Sequence, residues 1–131
     1  MDLVVDASVI IAVIANEPEK DQLITLTKEA DLIAPTSIHW EIGNAFSAML
    51  KQRRITLNEA LRAIDLYSRI PLRFVEVELE ESLKLAAELN IYAYDACLIR
   101  CAIKYDAQLA SLDKSLIRFA RKKGIFVMEV N

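Results

Sequence analysis

"LVVDASVIIAVIAN", residues 3–16, decides the fold. "LVVD" reads as a short buried strand that ends on Asp6, and "SVIIAVIAN" continues from it as a helix. The rest of the chain repeats this strand-then-helix unit. "PEKDQLITLTKEA" is a helix, "DLIAP" a strand, and "SIHWEIGNAFSAMLKQRR" a helix with Ile38, Ile42, Ala45, Phe46 and Met49 along one face. "TLNEALRAIDLYSRI" opens with Thr56 as cap and Glu59 at capping-box spacing, and Pro71 closes it. "LRFVEV" is a strand and "LEESLKLAAELN" a helix, followed by the helix around Asp95, a short "LAS" strand, the helix "KSLIRFARKK" and a last strand "IFVMEV". Strands that alternate with helices across long crossovers imply a parallel sheet covered on both faces. The expectation is an α/β fold, a three-layer α/β/α arrangement around a central parallel sheet of about five strands, with residues 1–131 forming one domain.

In such sheets, sites form outside the carboxyl ends of the strands. Asp6 ends the first strand; Asp113 follows "LAS" and begins a helix; Asp95 heads the helix that feeds that strand. An N-cap explains each of these singly, at about 1 kcal/mol over alanine. Glu41 is read as lying inside its helix, roughly 85° from the middle of the apolar stripe, on a flank shared with Asn44 and Ala48; taken alone it is an ordinary solvated glutamate. If the four converge in space, they pose a different problem. Two carboxylates ~5 Å apart at an effective dielectric of ~20 repel by roughly 3 kcal/mol, and caps do not offset several such pairs. A divalent cation does, and hard oxygen ligands select Mg²⁺ or Mn²⁺ over zinc.

Composition narrows the chemistry. The chain has 131 residues, is 54% hydrophobic and 27% charged, and so is globular rather than disordered. Its longest uncharged apolar run, "ASVIIAVIA", is too short to span a bilayer, and "MDLVVD" lacks a signal-peptide layout, so a cytoplasmic location without membrane is expected. One histidine, His39, excludes a two-histidine ribonuclease mechanism and argues against a His-rich zinc site. Cys97 and Cys101, four apart in a helical pattern, read as small buried hydrophobes. Two glycines, Gly43 and Gly124, cannot build a phosphate-cradling loop. Phosphate chemistry here therefore falls to carboxylates and metal. The net charge of −3 argues against a general grip on nucleic acid, though it permits a local basic groove.

"VVDASVII", "HWEIGNAF", "YAYDACLI" and "LASLDKSL" resemble the four acidic blocks of PIN-domain nucleases, and most of all the VapC-type ribonuclease toxins of toxin–antitoxin modules. The resemblance runs from Leu3 to about Val130. It implies Asp6 as a direct metal ligand with Ser8 supporting it, Glu41 as a ligand directly or through water, and Asp95 and Asp113 completing the acidic cluster. Asn44, one turn after Glu41, would orient it or touch a substrate phosphate. Ser111 keeps the hydroxyl of the Thr-x-Asp common in the last block, while Ser115 and Leu116 stand where some relatives carry a further acid. The implied activity is Mg²⁺- or Mn²⁺-dependent endoribonuclease cleavage by in-line attack of water, leaving a 5′-phosphate and a 3′-hydroxyl. The implied partners are RNA, a small cognate antitoxin and a second copy of the chain. Two alternatives stay open: a catalytically weak PIN domain that binds nucleic acid, and another Mg-dependent phosphohydrolase on a doubly wound sheet.

Several residues have two readings. Lys51, Arg53 and Arg54 end a helix, where they complement its dipole or contact phosphate; Arg100 and Lys114 are further phosphate candidates. "FARKKG" reads as a helix end with Gly124 as its cap rather than as an RNA contact. Trp40, almost opposite the apolar stripe, packs under a loop or marks an interface, and Tyr92 and Tyr94 stack on a base or fill the core.

Overall fold

The computed structural model describes residues 1–130. Among them run five strands and seven helices: β1 (Asp2–Val5), α1 (Ala7–Ile14), α2 (Lys20–Thr27), β2 (Asp31–Pro35), α3 (Ile38–Lys51), α4 (Leu57–Ser68), β3 (Leu72–Val75), α5 (Leu79–Leu89), α6 (Ala93–Lys104), β4 (Gln108–Ala110), α7 (Lys114–Lys122) and β5 (Val127–Met128). The strands form one sheet in the order β3-β2-β1-β4-β5, and every pairing is parallel. This is the three-layer α/β/α arrangement expected from the alternation.

Strand residues alternate between the two faces. Leu3, Val5, Ala34 and Ala110 point to a core shared with α1, α2, α3 and α4. Val4, Ile33, Val75, Leu109 and Val127 point to a second core closed by α5, α6 and α7. Growth from β1 to β3 proceeds one way; β4 and β5 are added on the other side of β1. Right-handed crossovers then require the later helices to cover the opposite face. Leu3, Val4 and Val5 are fully buried because the central strand is covered on both sides.

The last strand is shorter than "IFVMEV" suggests: only Val127 and Met128 pair, with Leu109 and Ala110. Its sole neighbour, β4, is itself three residues long, so the ladder ends there. Gly124 stands just past α7 at φ +77°, the left-handed geometry that lets the chain turn back into β5.

The direction of growth reverses between β1 and β4. The helices that follow these two strands therefore leave for opposite faces, α1 to one core and α7 to the other, and the divergence opens a crevice at the carboxyl edge, the usual place for a site in an open α/β sheet. Asp6 follows β1 directly, and Ser111 follows β4.

Candidate active site

Register builds the centre of the crevice. Val5 is paired with Ala110, so the next residues on each strand, Asp6 and Ser111, lie side by side. Ser111 Oγ donates to Asp6 Oδ2 at 2.5 Å. Ser8 Oγ donates to Asp6 Oδ1 at 2.6 Å, and the Val9 amide donates to the same oxygen at 3.2 Å. Each serine also ties down the neighbouring loop. Ser8 Oγ accepts from the Leu112 amide at 2.9 Å, and Ser111 Oγ from the Asp113 amide at 2.9 Å. The two hydroxyls fix Asp6 in one orientation and bind the start of α1 to the start of α7. Asp6 is only 4% exposed. Burial pushes its carboxyl above the usual aspartate range despite these three donors, and the charge of Asp113 adds to the effect.

All four acids stand at the amino ends of helices. Asp6 caps α1, and Asp113 caps α7, accepting from the amides of Ser115 (2.9 Å) and Leu116 (3.2 Å). The capping role and a place in the crevice are thus compatible. Asp95 departs from the cap reading: Tyr92 holds the cap position of α6, no side chain caps it, and Asp95 is the third helical residue. It leads a row whose other members, Leu98, Ile99 and Ala102, are buried. Glu41 departs from its expected position too, lying in the first turn of α3 rather than well inside the helix. That helix starts just after β2 ends, so its first turn also lies at the carboxyl edge of the sheet.

The carboxylates feel one another. Burial raises the Asp95 carboxyl, and the charge of Asp113 raises it further. Glu41 is pushed up to about 7, by burial first and then by the charges of Asp6 and Asp95. Its Oε2 is buried and has no hydrogen-bond partner. A helix amino end returns only about 0.3–1 kcal/mol to an anion, less than the roughly 3 kcal/mol of a close like-charge pair. Among the described residues, no three carboxylate, imidazole or thiol groups are gathered into a finished metal cage.

The donor set nevertheless fits a hard divalent cation. It offers a buried carboxylate oxygen without a partner and several carboxylates whose charges oppose one another. Softer ligands are not in play. Burial raises the Cys97 thiol, and Cys101 is pushed up to about 12, so neither is a thiolate at neutral pH. His39 is engaged elsewhere, with Nδ1 2.7 Å from the Tyr67 hydroxyl and its ring against Phe74.

The remaining candidates scatter. Asn44 is exposed one turn beyond Glu41. Lys51, Arg53 and Arg54 are exposed at the far end of α3; Lys51 is about 15 Å along the axis from Glu41. Arg100 lies about 7 Å along α6 from Asp95, its Nε buried without a partner. Lys114, the first residue of α7, borders a groove that also includes Ser111. That groove is lined by Arg118 as well, and by Lys122 from the run that reads as a plain helix end; their i, i+4, i+8 spacing from Lys114 was the available signal. Tyr92 and Tyr94 are exposed rather than in the core.

Fold and site together define an α/β protein with an acidic crevice at the switch point of its sheet. A family model described as PIN domain matches residues 3–122, and the chain belongs to that family. Solved structures share the fold. PAE2754 from Pyrobaculum aerophilum superposes with a TM-score of 0.70 at 23% identity, over 91% of this chain and 84% of that one. VapBC2 from Rickettsia felis, bound to a DNA fragment from their promoter, gives a TM-score of 0.71 at 16% identity, over 100% of both chains. A PilT N-terminus domain protein, SSO1118 from Sulfolobus solfataricus P2, gives 0.50 at 16% identity, over 98% of this chain and 86% of that one. At these identities the likeness is one of fold. None of the curated proteins matches the chain in sequence.

Proposed function

We propose that residues 1–131 work as one metal-dependent endoribonuclease domain, the toxin of a VapBC-type pair. The observation that carries this reading is Glu41: a half-buried carboxylate with an unpartnered oxygen, beside the charges of Asp6 and Asp95, at the carboxyl edge of a PIN-family sheet. A stability-driven sequence has no use for such a group, whereas a hard cation stabilises it.

Asp6, Glu41, Asp95 and Asp113 would hold Mg²⁺ or Mn²⁺. The cation, when bound, would lower the pKa of water and offset charge on the phosphodiester. The serines act on Asp6: with Ser8 and Ser111 donating to its two oxygens, the carboxylate keeps one orientation. Glu41, with its raised proton affinity, is suited to accept a proton near neutral pH when the cation is absent and to ligate when it is present. Asn44, on the same helix, would touch the substrate phosphate.

The proposed partners are an RNA substrate, a small antitoxin and a second copy of the chain. Trp40 supports an interface, being 74% exposed on α3. The VapBC2 likeness in fold supports the antitoxin. Among the described residues no helix is long and apolar enough to cross a membrane, which is compatible with work in the cytoplasm.

The test is cleavage of RNA by the purified chain with Mg²⁺ or Mn²⁺, abolished by chelation, with mapping of the new ends. The expected products carry a 5′-phosphate and a 3′-hydroxyl. A cyclic phosphate end, or cleavage that survives chelation, would refute the reading. A second reading is a nucleic-acid-binding PIN domain of weak activity. It predicts RNA binding without cleavage under the same conditions.

A further inference from the structure

We propose that the groove between α7 and β5 carries the phosphate backbone of the single-stranded nucleic acid that enters the carboxylate crevice; this rests on the nuclease reading above. The groove encloses about 660 Å³ and begins at Ser111 and Leu112. Ser111 is the residue whose hydroxyl binds Asp6 and receives the Asp113 amide, so the groove begins beside the crevice.

One wall is a row of cations. Lys114, Arg118, Arg121 and Lys122 line the groove, and their spacing of four, seven and eight residues puts them on one side of the helix. They are four of the chain's 16 lysines and arginines, on one nine-residue helix of a protein whose net charge is −3. Lys114 stands next to Asp113, and Lys122 is about 12 Å further along the axis. The row thus leads away from the crevice, as a strand of phosphates running out of it would.

The cations are available. Lys114, Arg118 and Lys122 join no ion pair among the described residues. The Arg118 guanidinium lies 4.9 Å and the Lys122 Nζ 5.4 Å from the Phe119 ring centre. Contact with a ring face steadies a cation while leaving N–H groups free to donate. Arg121 is paired with Glu129 at 2.9 Å, but both side chains are more than half exposed (52% and 70%), so a phosphate displaces the carboxylate at little cost. Ile117, Val127 and Met128 give the groove an apolar component. An acidic peptide would suit the same cations, but its carboxylates would meet Asp113, Asp6 and Asp95 at the head of the groove. A phosphodiester chain suits the row better, because it repeats its charge at every nucleotide, and the nuclease reading would place a divalent cation among those acids to receive one phosphate.

The experiment compares the full chain, an Arg118→Ala/Lys122→Ala double variant, and a Lys28→Ala/Arg69→Ala variant of equal charge remote from α7. Binding of a short labelled single-stranded RNA is measured in Ca²⁺ across a salt series. Each phosphate that a removed side chain had neutralised lowers the slope of log K against log salt by about 0.7. The α7 variant should therefore lose about 1.4 in slope and bind about 25-fold more weakly at 0.1 M salt when the two curves meet near 1 M. The remote variant should match the parent. If the chain cleaves RNA, KM for RNA should rise with kcat retained. Equal slopes for the two double variants would overturn the proposal, whether or not the chain cleaves RNA. An α7-dependent slope in a chain that cleaves nothing would uphold the groove and remove the nuclease reading. If the α7 variant loses affinity for a polyglutamate peptide and none for RNA, the groove serves an acidic protein segment and the proposal falls.

Discussion

Glu41 and Glu59 are the same residue in the same setting, the first turn of an α-helix, yet they lie at opposite electrostatic extremes. Glu59 closes a capping box: its Oε1 accepts from the Thr56 amide at 3.1 Å, and its own amide donates to the Thr56 hydroxyl at 3.2 Å. The bond from the Thr56 backbone holds its carboxyl below the usual range, and the Thr56 side chain adds to that. Glu41 has an oxygen with no partner and is pushed up to about 7. Helix position does not explain the difference, since the amino end favours an anion in both cases. Burial beside Asp6 and Asp95 does. One glutamate stabilises its helix; the other is held at an electrostatic cost that raises its affinity for a proton.

The largest expected effect sets crevice against cap through activity. Asp95→Asn should lower RNA cleavage by more than the ~100-fold usual for a merely orienting group, while metal-free stability stays equal or rises because a like charge is removed. Glu59→Gln should leave cleavage unchanged. A cleavage assay beside thermal melting in chelator reads both. An Asp95→Asn protein that melts earlier and still cleaves would make Asp95 a structural residue of α6.

Metal sharpens the same contrast. At a Mn²⁺ concentration about 100 times the Kd, binding to the folded state alone adds about 2.7 kcal/mol, a shift of several degrees in Tm. Thr56→Ala should keep that shift, and Glu41→Gln should lose most of it. Melting curves across a Mn²⁺ series check this, and a flat response in the unmodified chain would remove the cation from the crevice.

The fold was readable because strands and helices differ in period, and "LVVD" followed by "SVIIAVIAN" shows the change within a few residues. Asp6, Asp95 and Asp113 could be placed at the sheet edge for the same reason. The bond from Ser111 to Asp6 could not be read, since it joins residues 105 apart and depends on the β1–β4 register. The start of α3 was legible to within one residue, but periodicity gives a face and not its neighbours: that Glu41 lies half-buried beside Asp6 and Asp95 with an unpartnered oxygen depends on tertiary packing. The α7 row was visible as spacing alone. Its opposite wall comes from β5, a two-residue strand whose place at the sheet edge is a matter of topology.

Without metal, the two glutamates should respond to pH in opposite senses. For Glu41 the folded-state pKa, about 7, lies above the ordinary value of 4.5. The folded protein thus holds that proton more tightly than the unfolded chain. Its contribution is complete below pH 4.5 and is lost as pH rises through 7. Allowing for solvent screening of a half-buried group, the loss is about 1–2 kcal/mol. Subtracting the Glu41→Gln stability profile from that of the parent, by chemical denaturation in chelator from pH 4 to 8, isolates it. For Glu59, whose pKa is lowered, stability is present above 4.5 and lost as pH falls.

The smallest effect isolates the cap. Thr56→Ala removes the hydroxyl that accepts from the Glu59 amide and should cost about 1 kcal/mol at every pH above the glutamate range. Because Thr56 and Glu59 border a separate groove with Phe46 and Met49, away from the carboxylates, the loss should add to that of any crevice variant without coupling. A double-mutant cycle of Thr56→Ala with Glu41→Gln reads the coupling directly. A coupling near zero means that the two amino ends answer to different forces, whereas a large one means that α3 and α4 transmit strain and that the cost at Glu41 is not electrostatic alone.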